Sequence, residues 1–325
     1  MNFIKKSIFL TLVFSLISIS VRADVNVVTT IKPLHSLISN VMKGVGEPSL
    51  IIEGTSNPHN FVLKPSHAKL LQDADIIFWI GEDLEAFMEK PLSSLAKDAK
   101  KISFMELGSI KKLKFRENNI FDHDDHDGHK EDDHDDHDDH DDHDDHDDHD
   151  GHKEDDHDDH DDHDDHDGHK EDDHDDHDGH KEDDHDRHNH GEFDAHLWLD
   201  PVNAKEMVIE ISHELSELDP TNKNKYKANA DKTIEVLDNL IKEVSQSLSK
   251  DISYVVFHDA YQYFEKRFEV TSAGALTLNP DVLPGAKQIV DIQSLIKEKN
   301  IKCIFSEPQY NPKIIETLAS DTNIS

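Results

Sequence analysis

The chain has 325 residues, of which 34% are hydrophobic, and it has a formal net charge of −38. Residues 121–190 hold 38 acidic and 5 basic residues, so this one segment contributes −33 and the rest of the chain only −5. The composition therefore allows folded hydrophobic cores outside that segment. It argues against nucleic acid as a partner, because phosphate binding needs a basic surface.

The first 23 residues have the layout of a secretory signal. Lys5 and Lys6 precede an apolar run, Ile8–Ile19, and the small residue Ala23 ends the segment. The run is shorter than an ordinary membrane-spanning helix, and no cysteine near Ala23 offers a site for lipid attachment. We therefore expect export to the periplasm, cleavage after Ala23 and a soluble product. A signal that stays uncleaved in the membrane is the alternative.

Residues 24–121 alternate short apolar runs with helical patterns, which is typical of an α/β layered sheet. A helix is predicted at His67–Asp73, with Ser66 as its N-cap. The predicted strands are near Val25–Thr30, Leu50–Glu53, Asp75–Ile80 and Lys101–Phe104. We expect these residues, together with residues 191–218, to form an N-terminal lobe.

Residues 122–190 are a low-complexity repeat of Asp-Asp-His triplets, interrupted by four copies of the octet Asp-Gly-His-Lys-Glu-Asp-Asp-His. Because it lacks apolar residues and its like charges repel, the repeat is predicted to be a disordered loop inserted in the N-terminal lobe. Its imidazoles and carboxylates predict many weak sites for Zn²⁺, Cu²⁺ or Ni²⁺, with a purely solvating acidic segment as the alternative. Histidines expected to act as auxiliary ligands include His123, His126, His129, His134, His137, His140, His188 and His190.

After the repeat, Asp200 and Pro201 predict the N-cap and first residue of a helix that ends near Glu217. Residues 219–249 follow with a mostly polar helical pattern that contains no proline after Pro220. A helix of about 30 residues would span about 45 Å. This length favours a linking helix between two lobes rather than a core helix.

Residues 250–325 predict a second α/β lobe. Strands are expected at Tyr254–Phe257, Phe268–Ala273 and Ile301–Phe305. Helices are expected at Pro284–Lys299 and from Pro312 onward. No further strand follows that would match the first lobe. We therefore expect this C-terminal lobe to be incomplete and the chain to be truncated.

Six histidines lie outside the repeat, and three of them have a setting that suits a metal site. His59 follows the second predicted strand, His258 directly follows the fifth, and His196 comes just before the capped helix. Ligands of open α/β sheets collect beyond the carboxyl ends of the strands. Three neutral imidazoles at one point suit Zn²⁺ in near-tetrahedral geometry, with a fourth position for water or a carboxylate. Ordinary core or loop histidines are the alternative.

The remaining histidines predict no metal site. His35 and His67 lie at helix starts, and His213 lies on the helix that follows Pro201. The sequence His213–Glu217 begins like a zinc-protease motif but has glutamate where the second histidine is required. We assign it to a solvated helix face.

Five segments of the chain resemble the zinc-binding receptors of ABC transporters, which belong to the cluster A-I family of metal-binding proteins. The segments are Asn57–Ser66, Ala74–Gly81, Asp194–Asn203, Val256–Tyr261 and Ser306–Tyr310. The resemblance implies two α/β sandwich lobes joined by a single long rigid helix, with one Zn²⁺ bound between them and passed to a membrane permease. It also implies that His59, His196 and His258 are the ligands. Manganese-binding relatives carry a carboxylate at the position of His258.

The chain departs from this family in two respects. In such relatives a carboxylate near the end of the last strands approaches the metal, and that stretch would lie beyond Ser325. The fourth ligand is therefore open, and Glu307 is a candidate either as a ligand or as a residue that orients a histidine. Relatives also often pair the Cys303 position in a disulfide with a cysteine near the C-terminus, which would again lie beyond Ser325.

These observations predict a monomeric, non-enzymatic zinc receptor, and they leave three alternatives. An extracellular zinc-buffering or adhesion protein would share the export signal and the repeat but would not need a two-lobed clamp. A manganese-binding relative would prefer a harder, carboxylate-rich site. A zinc hydrolase would also use three histidines and an open position, but the sequence has no evident general base beside them and no His-Glu-x-x-His motif.

Overall fold

The computed structural model describes residues 25–121, 191–322 and 324. The predicted signal segment and the repeat with its auxiliary histidines lie outside these described residues. None of the helices in the described part of the chain is long and apolar enough to cross a membrane. Two parallel β-sheets flanked by helices are present, which confirms the predicted α/β class.

The first sheet has four parallel strands in the order β2-β1-β3-β4. Their bounds are β1 Val27–Thr29, β2 Ser49–Leu50, β3 Ile76–Trp79 and β4 Lys100–Ser103. All four residues of β3 are buried, as expected for an inner strand of a parallel sheet that is covered on both faces. Each predicted strand of this region is present, although β2 ends at Leu50 instead of near Glu53.

Four short helices accompany this sheet: α1 Lys32–Val41, α2 Pro65–Gln72, α3 Glu82–Glu85 and α4 Glu89–Ser94. Helix α1 buries Leu34, Ile38 and Val41, whose spacing places them on one helix face. The predicted N-cap at Ser66 is wrong. Helix α2 begins at Pro65, two residues earlier than predicted, because proline fits the first helical position, so Lys64 occupies the cap.

Two longer helices follow the repeat: α5 Pro201–Leu218 and α6 Lys223–Ser247. The predicted cap of α5 is confirmed, since the Asp200 carboxylate accepts a hydrogen bond from the Val202 N–H at 2.8 Å. Helix α6 has 25 residues, about 37 Å, and is shorter than predicted because a turn precedes it. In that turn the Asn222 amide donates to the Asp219 carboxylate at 2.6 Å.

The second sheet has three parallel strands in the order β6-β5-β7. The elements of this region are β5 Tyr254–His258, α7 Gln262–Phe268, β6 Ala275–Thr277, α8 Ala286–Glu298, β7 Cys303–Phe305 and α9 Lys313–Thr322. Val255 and Leu276 from the sheet pack with Ile292 of α8 and Leu318 of α9 in a core separate from that of the first sheet.

The strand predicted at Phe268–Ala273 is wrong. Phe268 is the last residue of α7, and Glu269 has a left-handed backbone (φ 54°) that ends the helix. Phe268 and Val270 are buried beside this turn, and their alternation with polar residues imitates a strand pattern. The strand begins at Ala275 instead.

Residues 113–121, here called the strap, contact the second sheet although they follow the first in sequence. The Leu113 N–H donates to the hydroxyl of Tyr263 on α7 at 3.0 Å. Ile120 pairs antiparallel with Gly274, just before β6. A Cβ atom on Gly274 would lie 2.5 Å from a carbonyl oxygen of the strap, so this close approach requires glycine.

A buried ion-pair cluster fixes the strap to the second sheet. The guanidinium of Arg116 donates to Asp259 Oδ1 at 2.7 Å and to Glu265 Oε2 at 2.6 Å. The Tyr254 hydroxyl donates to the other Glu265 oxygen at 2.9 Å. Burial raises the pKa of Asp259 to about 6, and the nearby guanidinium opposes that rise. Asp259 directly follows His258, so the cluster adjoins the carboxyl end of β5.

A second buried carboxylate makes stability depend on pH. Glu85 accepts hydrogen bonds from the N–H groups of Ile80 (2.9 Å) and Gly81 (3.1 Å), and burial raises its pKa from 4.5 to about 7. Between these values the folded chain holds a proton that the unfolded chain has lost, so stability falls as the pH rises through this window. The loss reaches about 3 kcal/mol above pH 7.

We therefore expect Glu85→Gln to stabilise the protein at pH 8 but to have little effect at pH 4.5. Glutamine keeps an acceptor oxygen for the two N–H groups and removes the cost of burying a charge. Thermal unfolding of both proteins at several pH values measures the difference. The same shift at pH 4.5 and pH 8 would contradict this assignment.

Candidate metal centre

Three histidines from distant parts of the chain meet at one point between the two sheets. His59 lies on residues 51–64, here called the His59 loop, which joins β2 to α2. His196 precedes a single 3₁₀ turn that leads into α5, and His258 is the last residue of β5. Their ring centroids are 5.3 to 6.0 Å apart, and one nitrogen of each ring lies within 4.8 Å of the others.

Carboxylates lie on the outer nitrogens of two of these rings. Nδ1 of His196 is 2.6 Å from Oδ1 of Asp194, which also accepts the backbone N–H of His196 at 3.0 Å. Nδ1 of His258 is 2.9 Å from Oε1 of Glu307, although this contact falls outside good hydrogen-bond geometry. The Asp194 carboxylate thus fixes the His196 ring and favours a proton on its Nδ1, whereas Glu307 places a negative charge beside Nδ1 of His258.

The inner nitrogens of the same rings face each other. Nε2 of His196 and Nε2 of His258 are 3.4 Å apart. With its proton on Nδ1, His196 presents a lone pair at Nε2, and the tautomer of His258 decides whether its Nε2 donates to His196 or presents a second lone pair. Two tetrahedral zinc ligands with Zn–N bonds of about 2.0–2.1 Å lie about 3.3 Å apart. The pair therefore has the spacing of two ligands of one zinc ion.

Burial favours the metal-binding form of His258. His196 and His258 are 6% and 3% exposed, whereas His59 is half-buried. Burial is the main reason that the pKa of His258 is lowered, while Glu307 acts in the opposite direction. The neutral imidazole is the species that coordinates a metal.

Aromatic rings form part of the wall of the centre. The Tyr310 ring lies 5.3 Å from the His258 ring and stacks on Phe257 at 4.8 Å. The Trp198 ring lies 5.4 Å from that of His196. These side chains limit the access of water to the two buried histidines.

Sequence reasoning did not assign a role to Asp194. The available signal was its position two residues before His196, which lets one carboxylate oxygen reach both the backbone N–H and Nδ1 of that histidine. Glu307 was singled out, and it lies on the Nδ1 side of His258, outside the group of converging ligand atoms.

The other histidines among the described residues have structural contacts. Nε2 of His35 lies 3.1 Å from the Pro48 carbonyl oxygen, and Nδ1 of His67 accepts the Lys64 N–H at 3.2 Å. Cys303 is a free, half-buried thiol.

A second group of potential ligands, His213, Glu214 and Glu217, lies on α5. Its assignment to a solvated face is wrong for Glu214, which is buried and paired with Lys100. Lys100 also binds Glu217 at 3.0 Å, so a cation already occupies this group.

Comparison with known proteins identifies the family. The family model described as zinc-uptake complex component A, periplasmic (ZnuA) matches residues 27–325. The chain is 43% identical to the high-affinity zinc uptake system protein ZnuA of Brucella abortus (strain 2308), over 91% of this chain and 80% of the relative. It is 37% identical to that of Haemophilus influenzae, over 96% and 86%.

Solved structures share the fold at lower identity. A crystal structure of ZnuA superposes with a TM-score of 0.63 and 18% identity, covering 93% of this chain and 89% of that one. The periplasmic zinc-binding protein TroA of Treponema pallidum gives a TM-score of 0.64 at 18% identity, covering 93% and 84%. As its sequence motifs predicted, the chain belongs to the ZnuA family of periplasmic zinc-uptake proteins, whose transported ion is Zn²⁺.

Proposed function

We propose that this chain captures one Zn²⁺ with the Nε2 atoms of His59, His196 and His258 and delivers it to the permease of a zinc ABC transporter. The observation that supports this most directly is the 3.4 Å separation of two inward-facing Nε2 atoms whose Nδ1 atoms face carboxylates. A zinc ion between these two nitrogens would lie within bonding distance of both. All-nitrogen coordination favours Zn²⁺ over Mn²⁺.

The fourth coordination position is assigned to water, and Glu307 to the orientation of His258. Its carboxylate approaches Nδ1, the ring atom that points away from the converging nitrogens. Asp194 has the same relation to His196. Because both carboxylates orient ligands, neither is placed to act as general base for a zinc-bound water, and this favours transport over hydrolysis.

Glu307→Gln is expected to weaken zinc binding by about tenfold, because the charge that supports the His258 ring is lost while the ring remains. Isothermal titration of the two proteins with Zn²⁺ measures the change. Glu316→Gln, on an exposed face of α9, is the matched control and should bind as the wild type does. A loss as large as that caused by removing His258 would make Glu307 a ligand instead.

The repeat is assigned an auxiliary role. We infer that its histidines take up zinc weakly, because a repeat of this composition has no apolar core to hold ligands in place around an ion, and that they raise the local supply near the tight site. Export with cleavage after Ala23 would place the monomeric receptor in the periplasm. A zinc buffer would need only the repeat, whereas a transport receptor also needs a tight zinc site in the folded part of the chain.

A competitive zinc titration against a chelator tests this division. The full-length chain and a form that lacks residues 122–190 are compared. We expect the deletion to remove most of the bound zinc and to leave one tight site. If all zinc binding disappears with the repeat, the folded part is not the receptor and the chain is a zinc buffer.

A further inference from the structure

The three proposed ligands are held with different firmness. His196 and His258 are buried, and a carboxylate lies beside the Nδ1 atom of each ring. His59 lies on a loop without regular secondary structure, in which Gly54 has a left-handed backbone (φ 67°) and Thr55 and Ser56 are exposed. Lys32 donates to the Gly54 carbonyl oxygen, and behind His59 the Phe61 ring stacks on His67 at 5.4 Å. His59 therefore lies in an irregular, partly exposed segment between these two contacts.

Residues of α7 join the His196 side of the centre firmly to the His258 side. Tyr263 of α7 is buried in the core of the first sheet and donates to the Asp194 carbonyl oxygen at 2.7 Å. Arg267 of α7 donates twice to the Asp200 carboxylate, both times at 2.7 Å. Together with the Arg116 cluster, these contacts hold the His196 and His258 sides together.

The His59 loop reaches the second sheet through an exposed hydrogen bond. The amide of Asn60, next to His59, donates to Oδ1 of Asp281 at 2.9 Å. Asp281 lies in the connection between β6 and α8, and its own N–H donates to the Asn279 side chain at 2.9 Å. This local bond fixes the backbone at Asp281, so its carboxylate is already in position to accept from Asn60.

We propose that Asn60 and Asp281 form a latch that holds the His59 loop closed over the bound zinc. On this view the ion first meets the preformed pair, His196 and His258, and His59 is the last ligand to bind and the first to leave. The latch then sets the rate of zinc release without contacting the metal. The inference rests on the proposed function, since it assumes zinc at the three histidines.

The test is the rate of zinc release from the full-length chain loaded with one equivalent of Zn²⁺, followed by stopped flow into excess chelator. Asn60→Ala and Asp281→Ala should each speed release about two- to tenfold, the effect of one exposed hydrogen bond. The double variant should release zinc no faster than the quicker single variant, because both changes remove the same bond.

Gln293→Ala is the matched control. Its amide donates to the Asp321 carboxylate at 3.2 Å, an exposed pair of the same chemistry that lies within the second sheet's helices. This variant should release zinc at the wild-type rate. Unchanged release in both latch variants, or effects that multiply in the double variant, would overturn the latch.

The outcome is separable from that of the proposed function. A single slow release phase that His258→Ala removes supports zinc at the three histidines, whatever the latch variants do. The absence of any such phase in the wild-type chain would overturn the proposed function itself.

Discussion

His258→Ala is expected to weaken the tight zinc site on the order of 10²- to 10³-fold. A zinc ion held by four ligands gains about 10–16 kcal/mol in total, so the loss of one ligand costs about 3 kcal/mol or more. The substitution also leaves Glu307, whose side chain is only 11% exposed, without the imidazole beside it. Competitive titration against a chelator, with the repeat deleted, measures the tight site alone.

His213→Ala is the control for this prediction. His213 is an exposed histidine on α5 whose Nε2 lies 3.5 Å from Glu217, away from the three converging rings. Its loss should leave the tight site unchanged. Equal effects of the two substitutions would mean that zinc binding depends on histidine content rather than on this centre.

Arg116→Met should destabilise the folded protein by about 3–5 kcal/mol, because it leaves the buried Asp259 and Glu265 carboxylates without their guanidinium partner. For a folded unit of this size that loss lowers the melting temperature by roughly 6–20 °C. The ring of Phe121, 4.1 Å from the guanidinium carbon, would also lose its cation–π contact. Thermal unfolding in zinc-free buffer measures the effect.

Lys114→Met supplies the comparison from the same strap. Lys114 pairs with Glu192 at 2.8 Å, but both side chains are mostly exposed, at 73% and 61%. Exposed ion pairs contribute little to stability because water screens them, so the melting temperature should hardly change. If Arg116→Met were equally mild, the strap would not fix the two sheets to each other.

The sequence predicted an element correctly where neighbouring residues alone decide where it begins. Asp200 and Pro201 specified the start of α5 because a cap and a fixed φ act within one turn. The strand prediction at Phe268–Ala273 was wrong because the buried apolar residues of this segment belong to a helix end and a turn. Alternation of apolar and polar residues cannot distinguish such a turn from a strand. The length of α6 was overestimated because the Asp219 turn resembles the polar helix that follows it.

The centre itself was predictable only in part. More than 60 residues separate His196 from His258, so spacing contains no information on their convergence, and the family resemblance supplied it. The strap contacts had no signal at all, since Arg116 pairs with Asp259 across 143 positions. Pairing of that kind is decided by the way two sheets meet, which no single segment of sequence specifies.

Anomalous diffraction at the zinc edge, from crystals of the chain without residues 122–190 grown with one equivalent of Zn²⁺, locates the bound ion. We expect one peak within about 2.0–2.1 Å of the Nε2 atoms of His59, His196 and His258. We also expect Glu307 to remain at Nδ1 of His258. A zinc peak elsewhere on the folded chain, or one bound without His258, would show that these three histidines are not the zinc site.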